Sequence, residues 1–265
     1  MTRSFLDTVI ATRQAALEAA YGELTAADRE RLAAAAPRPR DFIGEIVRRA
    51  DVAVIAEVKK ASPSVGPIAP DCDASKQALH YQAGGATCIS VLCEPTHFSG
   101  SFTDLSDVSD AVDIPVLAKD FVVDPVQLYV ARSHGADAIL LMVSVLGDSL
   151  GEYIDLADTL GLTSLVEVHD EGELEIALRA HAGLIGVNSR NLRTLEVNAE
   201  KVAPVIAAAK AAGAVVVAES GVKTRASVQG ASASGADAVL VGEALMRTQF
   251  PEDVLEELTG VAKSS

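Results

Sequence analysis

Hydrophobic and polar positions alternate in blocks along most of this chain. From residue 52 onward, eight short apolar runs (52–58, 87–92, 115–118, 136–143, 164–168, 184–187, 215–218 and 238–241) are each followed by an amphipathic stretch. The runs are rich in valine, isoleucine and leucine and are continuous rather than alternating, as in a parallel sheet covered on both faces. Taking Glu57, Leu92, Lys119, Val143, Glu167, Asn188, Glu219 and Gly242 as their ends, successive ends lie 21 to 35 residues apart. A strand, a crossover helix and two loops need that much chain. Three runs are introduced by a similar phrase, Gly84-Gly85-Ala86, Gly135-Ala136-Asp137 and Gly235-Ala236-Asp237, which reads as a helix stop followed by the start of a strand. Eight such units predict an α/β fold of the closed (β/α)8 (TIM) barrel type. The competing open, doubly wound sheet is disfavoured because no Gly-x-Gly-x-x-Gly follows the first run.

Residues 1–49 have a different rhythm. Leu6, Val9, Ile10, Leu17 and Ala20 recur at helical spacing, Thr25-Ala26-Ala27-Asp28 reads as a second helix start, and Phe42, Ile43, Ile46 and Val47 mark a third, short helix after Pro37 and Pro39. The expected organisation is a helical N-terminal extension over 1–49 packed on a catalytic barrel over 50–265.

Composition narrows the function. Apolar residues make up 49% of the 265 positions before the 19 glycines are counted, enough for a sizeable core. With 22 basic and 37 acidic residues the net charge is −15, which disfavours nucleic acid and anionic membranes as partners and requires any anionic ligand to meet locally concentrated cations. No apolar run is long enough to span a bilayer, and the N-terminus does not read as a signal peptide. Cys72, Cys88 and Cys93 are odd in number and have no Cys-x-x-Cys spacing, as expected for thiols buried in a reducing cytoplasm. The five histidines show no paired spacing, so no metal site is expected.

In a barrel of this type, chemistry sits where the strands end. Glu57 and Lys59, two positions apart, share a strand face; Lys119, Glu167, Asn188 with Arg190, Glu219 and Gly242 with Glu243 stand at other ends. Lys60, Glu94 and Asp120 alternate away from that face and are expected to be solvated loop residues. Ser220-Gly221 and Gly242 can offer backbone N–H groups to a phosphate; Glu243 is expected to turn its side chain away and contribute backbone only.

Six of these ends carry Ile55-Ala-Glu-Val-Lys-Lys-Ala-Ser-Pro-Ser64, Leu117-Ala-Lys-Asp-Phe121, Leu165-Val-Glu-Val168, Ile185-Gly-Val-Asn-Ser-Arg190, Ala218-Glu-Ser-Gly221 and Leu240-Val-Gly-Glu-Ala-Leu-Met246. In this order they resemble the indole-3-glycerol phosphate synthase family of tryptophan biosynthesis, over nearly the whole chain. The resemblance implies a carbon–carbon lyase that closes the ring of 1-(2-carboxyphenylamino)-1-deoxyribulose 5-phosphate with loss of CO2 and water and no cofactor. It implies Lys119 as general acid, Glu167 as base or cation-stabilising carboxylate, and Lys59 paired with Glu57 in hydroxyl departure. Asn188 and Arg190 would orient the benzoate carboxylate. Ser62, Ser220, Gly221 and Gly242, with Glu219 and Glu243 beside them, would form the phosphate side, and Phe98 and Phe121 the walls around the aromatic ring. The partner implied is a small anionic substrate, the expected state a monomer, the expected compartment the cytoplasm. Val65 follows Ser64 where many members carry lysine, so the first loop lacks a cation. A Schiff-base aldolase, a sugar-phosphate isomerase and a non-catalytic paralogue remain the alternatives.

Overall fold

The computed structural model describes residues 5–190 and 196–264. All eight runs form strands: β1 (Ala53–Val58), β2 (Cys88–Leu92), β3 (Val116–Lys119), β4 (Ala138–Met142), β5 (Thr163–Val168), β6 (Leu184–Asn188), β7 (Val215–Glu219) and β8 (Ala238–Val241). Each pairs in parallel with the next and β8 returns to β1, closing the barrel. The register sets Leu92 opposite Lys119, Met142 opposite Glu167 and Asn188 opposite Glu219, which gathers the strand ends on one rim.

Alternation along each strand separates two apolar layers. Val54, Ala56, Ile89, Val116, Ile139 and Val166 pack outward against the helices. Ala53, Ile55, Cys88, Leu117, Leu140, Leu165, Val217 and Leu240 fill the interior. Continuing the inward set by two residues leads to Glu57, Lys119, Glu167, Glu219 and Gly242, and the same alternation from Leu184 through Gly186 leads to Asn188, so the period that builds the core delivers the polar groups to its top. The fourth strand ends one residue earlier than the sequence suggests. Met142 is the inward residue, and Val143 begins a short helix, Val143–Leu146.

The phrases before the strands do two jobs. Gly85, Gly135 and Gly235 adopt positive φ, stopping the preceding helices. The polar residue that follows each phrase, or ends it, then accepts a backbone N–H from the neighbouring strand: Thr87 from Val54, Asp137 from Val116 and Asp237 from Val216.

The N-terminal segment forms α1 (Phe5–Tyr21), α2 (Ala26–Ala34) and α3 (Phe42–Val47). Thr25 and Asp28 form a capping box at the start of α2, which packs on the helix Val126–Ser133. Phe42 and Ile46 of α3, fully buried, join the interior cluster at the end where the strands begin, near Cys88. Each contributes roughly 1.5–3 kcal/mol by leaving water. Leu6 and Val9 of α1 join the same cluster, and Phe5 meets His97 edge-on at 5.1 Å, beyond the strands' C-terminal ends. Cys88 and Cys93 are buried, whereas Cys72 is only half-buried.

Three residues expected to be solvated are not. Asp120 and Glu94 are buried and Lys60 is half-buried. They do turn out of the barrel interior, but the space outside is helix and loop rather than water. Asp120 pairs with Arg13 of α1, Lys60 with Asp104, and Glu94 accepts three N–H groups at the start of the short helix Pro95–Phe98.

Candidate active site

The strand ends enclose a cavity of about 360 Å³. Its charged floor is built around the Lys119 ammonium, which lies 2.9 Å from Glu219 Oε2 and 3.2 Å from Glu57 Oε2. Glu57 Oε1 in turn accepts from Lys59 Nζ at 2.7 Å. Burial alone would push Lys119 towards the neutral amine, but the surrounding carboxylates of Glu219, Glu57 and Glu167 outweigh it and hold the proton on. Burial likewise opposes ionisation of Glu57, yet Lys119 and Lys59 carry it down to about 2. Both partners are therefore charged at neutral pH.

Two glycines make this packing possible. A Cβ on Gly186 would lie 2.1 Å from Glu219 Oε1, and one on Gly242 would lie 2.5 Å from Glu57 Oε1 and 3.0 Å from Lys59 Nζ. Close approach, rather than a turn, requires glycine at both positions.

Glu167 lies across the cavity in a different environment. Burial, reinforced by the Glu219 charge, raises its carboxyl to about 7, with His169, Lys119 and Asn188 pulling the other way. The site thus holds one carboxylate fixed in its charged form and another poised to exchange a proton near neutrality, the division of labour that acid–base catalysis needs.

Asn188 Oδ1 accepts from Ser220 Oγ at 2.8 Å and from the Arg190 N–H at 3.0 Å, tying the β6 and β7 loops together. Arg190 Nη1 reaches Ser64 Oγ at 3.4 Å, bringing the β1 loop to the same place. Phe98 and Phe121, with ring centres 6.2 Å apart and tilted at 44°, wall the cavity beside Leu140, Met142 and Leu240. Ser220, Gly221, Gly242 and Lys223 line the side nearest β7 and β8.

Most of the residues singled out in the sequence thus come together. Ser62 borders a smaller adjoining recess with Phe5, Pro63 and Ser64, which shares Lys59, Phe98, Arg190 and Glu243 with the main cavity. Glu219 reaches Lys119 but is absent from the cavity lining. Glu243 pairs with Arg247 one helical turn on, at 3.0 Å, while still bordering the cavity. Sequence reasoning missed Lys223 and His169. Lys223 is a lone loop cation, whereas His169 stands two residues beyond Glu167 and one past the end of β5, a spacing that could have flagged it. Among the described residues, no group of three or more histidine, cysteine, aspartate or glutamate side chains is placed to hold a metal ion, and no helix is long and apolar enough to cross a membrane.

Fold and site together define a (β/α)8-barrel enzyme with a buried cluster of charged side chains at its strand ends. A family model described as indole-3-glycerol phosphate synthase matches residues 6–258. Proteins named indole-3-glycerol phosphate synthase are similar to this chain: that of Mycobacterium ulcerans is 48% identical over 85% of this chain and 83% of its own length, and that of Mycobacterium avium 44% identical over 96% and 93%. The chain belongs to the indole-3-glycerol phosphate synthase family. Among solved structures, 3-hexulose-6-phosphate synthase (TM-score 0.60, 15% identity, 78% of this chain and 98% of that one) shares the fold. So does thiamine phosphate pyrophosphorylase from Pyrococcus furiosus (TM-score 0.58, 18% identity, 78% and 93%).

Proposed function

We propose that this chain converts 1-(2-carboxyphenylamino)-1-deoxyribulose 5-phosphate to indole-3-glycerol phosphate, with Lys119 as the proton donor that starts the reaction. The ring carbon bearing the carboxylate attacks the ketone carbon while Lys119 protonates the ketone oxygen. Breaking the ring–carboxylate bond releases CO2 and restores aromaticity. The new hydroxyl then leaves as water with a proton from Lys59, and the methylene proton beside the nitrogen goes to Glu167, forming the indole double bond. Asn188 and Arg190 hold the benzoate carboxylate, the Phe98 and Phe121 walls hold its ring, and Ser62, Ser220, Gly221 and Gly242 receive the phosphate, with Lys223 adding a cation on the same side.

The observation that carries this reading is Lys119 clamped between Glu57 and Glu219 as an ammonium. A general acid needs the charged form, and a Schiff-base lysine needs the neutral amine. The phosphate and benzoate suit a cavity whose lining brings four cations, Lys59, Lys119, Arg190 and Lys223, together in a chain of net charge −15. The buried thiols of Cys88 and Cys93 suit a reducing compartment, the cytoplasm.

The test is direct. Purified chain incubated with the ribulose-phosphate substrate should release an indole product whose fluorescence stands clear of a protein that has no tryptophan. A preparation that binds substrate yet forms no indole would overturn the proposal.

A further inference from the structure

Two polar atoms at the back of the site face each other without a hydrogen bond. Glu167 Oε1 and His169 Nε2 are both buried, both lack a hydrogen-bond partner among the described residues, and lie 3.4 Å apart. The imidazole is held from its other side. Its Nδ1 lies 2.9 Å from Glu173 Oε2, and the backbone N–H of His169 donates to that same oxygen at 2.8 Å. Glu173 belongs to the first turn of the helix Glu171–Arg179, whose N-cap Asp170 accepts the Glu173 N–H. The ring is therefore fixed by the start of a helix and aimed at a catalytic carboxylate.

We infer that His169 is a positioning residue for ring closure: held by Glu173, it orients the Glu167 carboxylate and presents a positive charge that governs when Glu167 carries a proton. This inference rests on the ring-closure reading of the site.

The physical argument starts from the acceptors. A neutral imidazole has a single N–H, so with a carboxylate at each ring nitrogen both can be satisfied only when the ring is an imidazolium. Burial opposes that charge, but Glu173 and Glu167, with Glu219 behind them, raise the imidazole to about 9. Around Glu167 stand Glu219, which disfavours its ionisation, and Lys119 and His169, which favour it. Lys119 makes its ion pairs with Glu57 and Glu219, so among the described residues His169 is the cation that pairs with Glu167. A second cavity, which His169 borders, carries Asp170, Glu196 and Lys201 on its walls. The 3.4 Å separation is long for a hydrogen bond, and catalytic contacts often tighten only when substrate closes on them.

Three measurements on the full-length chain test this. In His169→Gln, which removes the charge but keeps a polar side chain, kcat should fall about tenfold at pH 6 while KM stays within about twofold, because a one-unit rise in the Glu167 pKa cuts its ionised fraction by that factor. The acid limb of the kcat profile should move up by about one pH unit. Glu173→Gln keeps the ring but weakens its charge, so the limb should move the same way by less. Independently of turnover, the His169 imidazole followed by nitrogen NMR should titrate at lower pH in Glu167→Gln than in the wild type. An acid limb that stays in place in both kinetic variants, or an imidazole titration indifferent to Glu167→Gln, overturns the proposal. A wild-type chain that makes no indole would instead sink the ring-closure reading, and the NMR coupling would still be readable.

Discussion

Arg13 and Asp120 form a fully enclosed ion pair between the first helix and the residue that follows Lys119. Arg13 Nε lies 3.1 and 3.0 Å from the two carboxylate oxygens, and Gln127 Nε2 donates to Asp120 at 2.9 Å. The guanidinium also sits 5.6 Å above the Phe102 ring. Helix α1 is thus bonded to the strand end that presents the proposed acid.

Breaking that pair from one side leaves a buried, uncompensated carboxylate. Arg13→Met should lower the unfolding free energy by about 3–5 kcal/mol, measured by urea denaturation. The double variant Arg13→Met with Asp120→Asn should recover part of the loss. An Arg13→Met variant as stable as the wild type would show that the pair contributes nothing.

Gly186 should tolerate no side chain. A methyl there would displace Glu219 from Lys119 by roughly an ångström, and misplacement on that scale costs up to about 10²-fold in rate. Gly186→Ala should therefore lower kcat by at least about tenfold in steady-state assays with little change in the circular dichroism spectrum. Unchanged kcat would mean that Glu219 does not matter for Lys119.

Lys119→Met should lower kcat by at least about 10²-fold while substrate still binds. Borohydride added to wild-type protein and substrate should leave the protein's mass unchanged. A reduced adduct on Lys119 or Lys59 would move the chemistry to imine formation.

Glu167 should cost the fold stability in order to work. Its carboxyl is raised from 4.5 to about 7, so its favourable contribution is complete below pH 4.5 and is lost as pH rises through 7. Glu167→Gln should therefore melt higher than the wild type at pH 8, with the gap shrinking as pH falls from 7 towards 4.5, while activity collapses. Equal melting temperatures across that range would show that Glu167 ionises without penalty.

Val65 sits, exposed, in the turn between the short paired segments Ala61–Ser62 and Gly66–Pro67. Restoring a cation with Val65→Lys should lower KM by up to about fivefold, close to 1 kcal/mol for an exposed charge, and the gain should fade in high salt.

The fold was legible because inward and outward positions along each strand are both apolar and regularly spaced. The site was legible wherever a charge broke an inward row, as Glu57, Lys119, Glu167 and Glu219 do. What escaped was long-range pairing. Asp120 looked like a solvated loop residue because its partner, Arg13, lies 107 positions away, and no local pattern announces that distance. His169 was hidden for another reason: its meaning depends on Glu173 folding back from the next helix to hold its far nitrogen.

The closing contacts at the barrel floor impose an order on biosynthesis. Lys263 Nζ donates to the Ile46 carbonyl at 2.8 Å and the Val52 N–H to the Val261 carbonyl at 2.7 Å. Phe42 and Ile46 are translated early, but the interior cluster they join is completed only by Ala238 and Leu240 of the last strand. A nascent chain stopped short of them shows an aromatic and an aliphatic side chain at the open floor of an unfinished barrel. Such a chain carries a visible mark of incompleteness for chaperones and proteases that read exposed apolar surface.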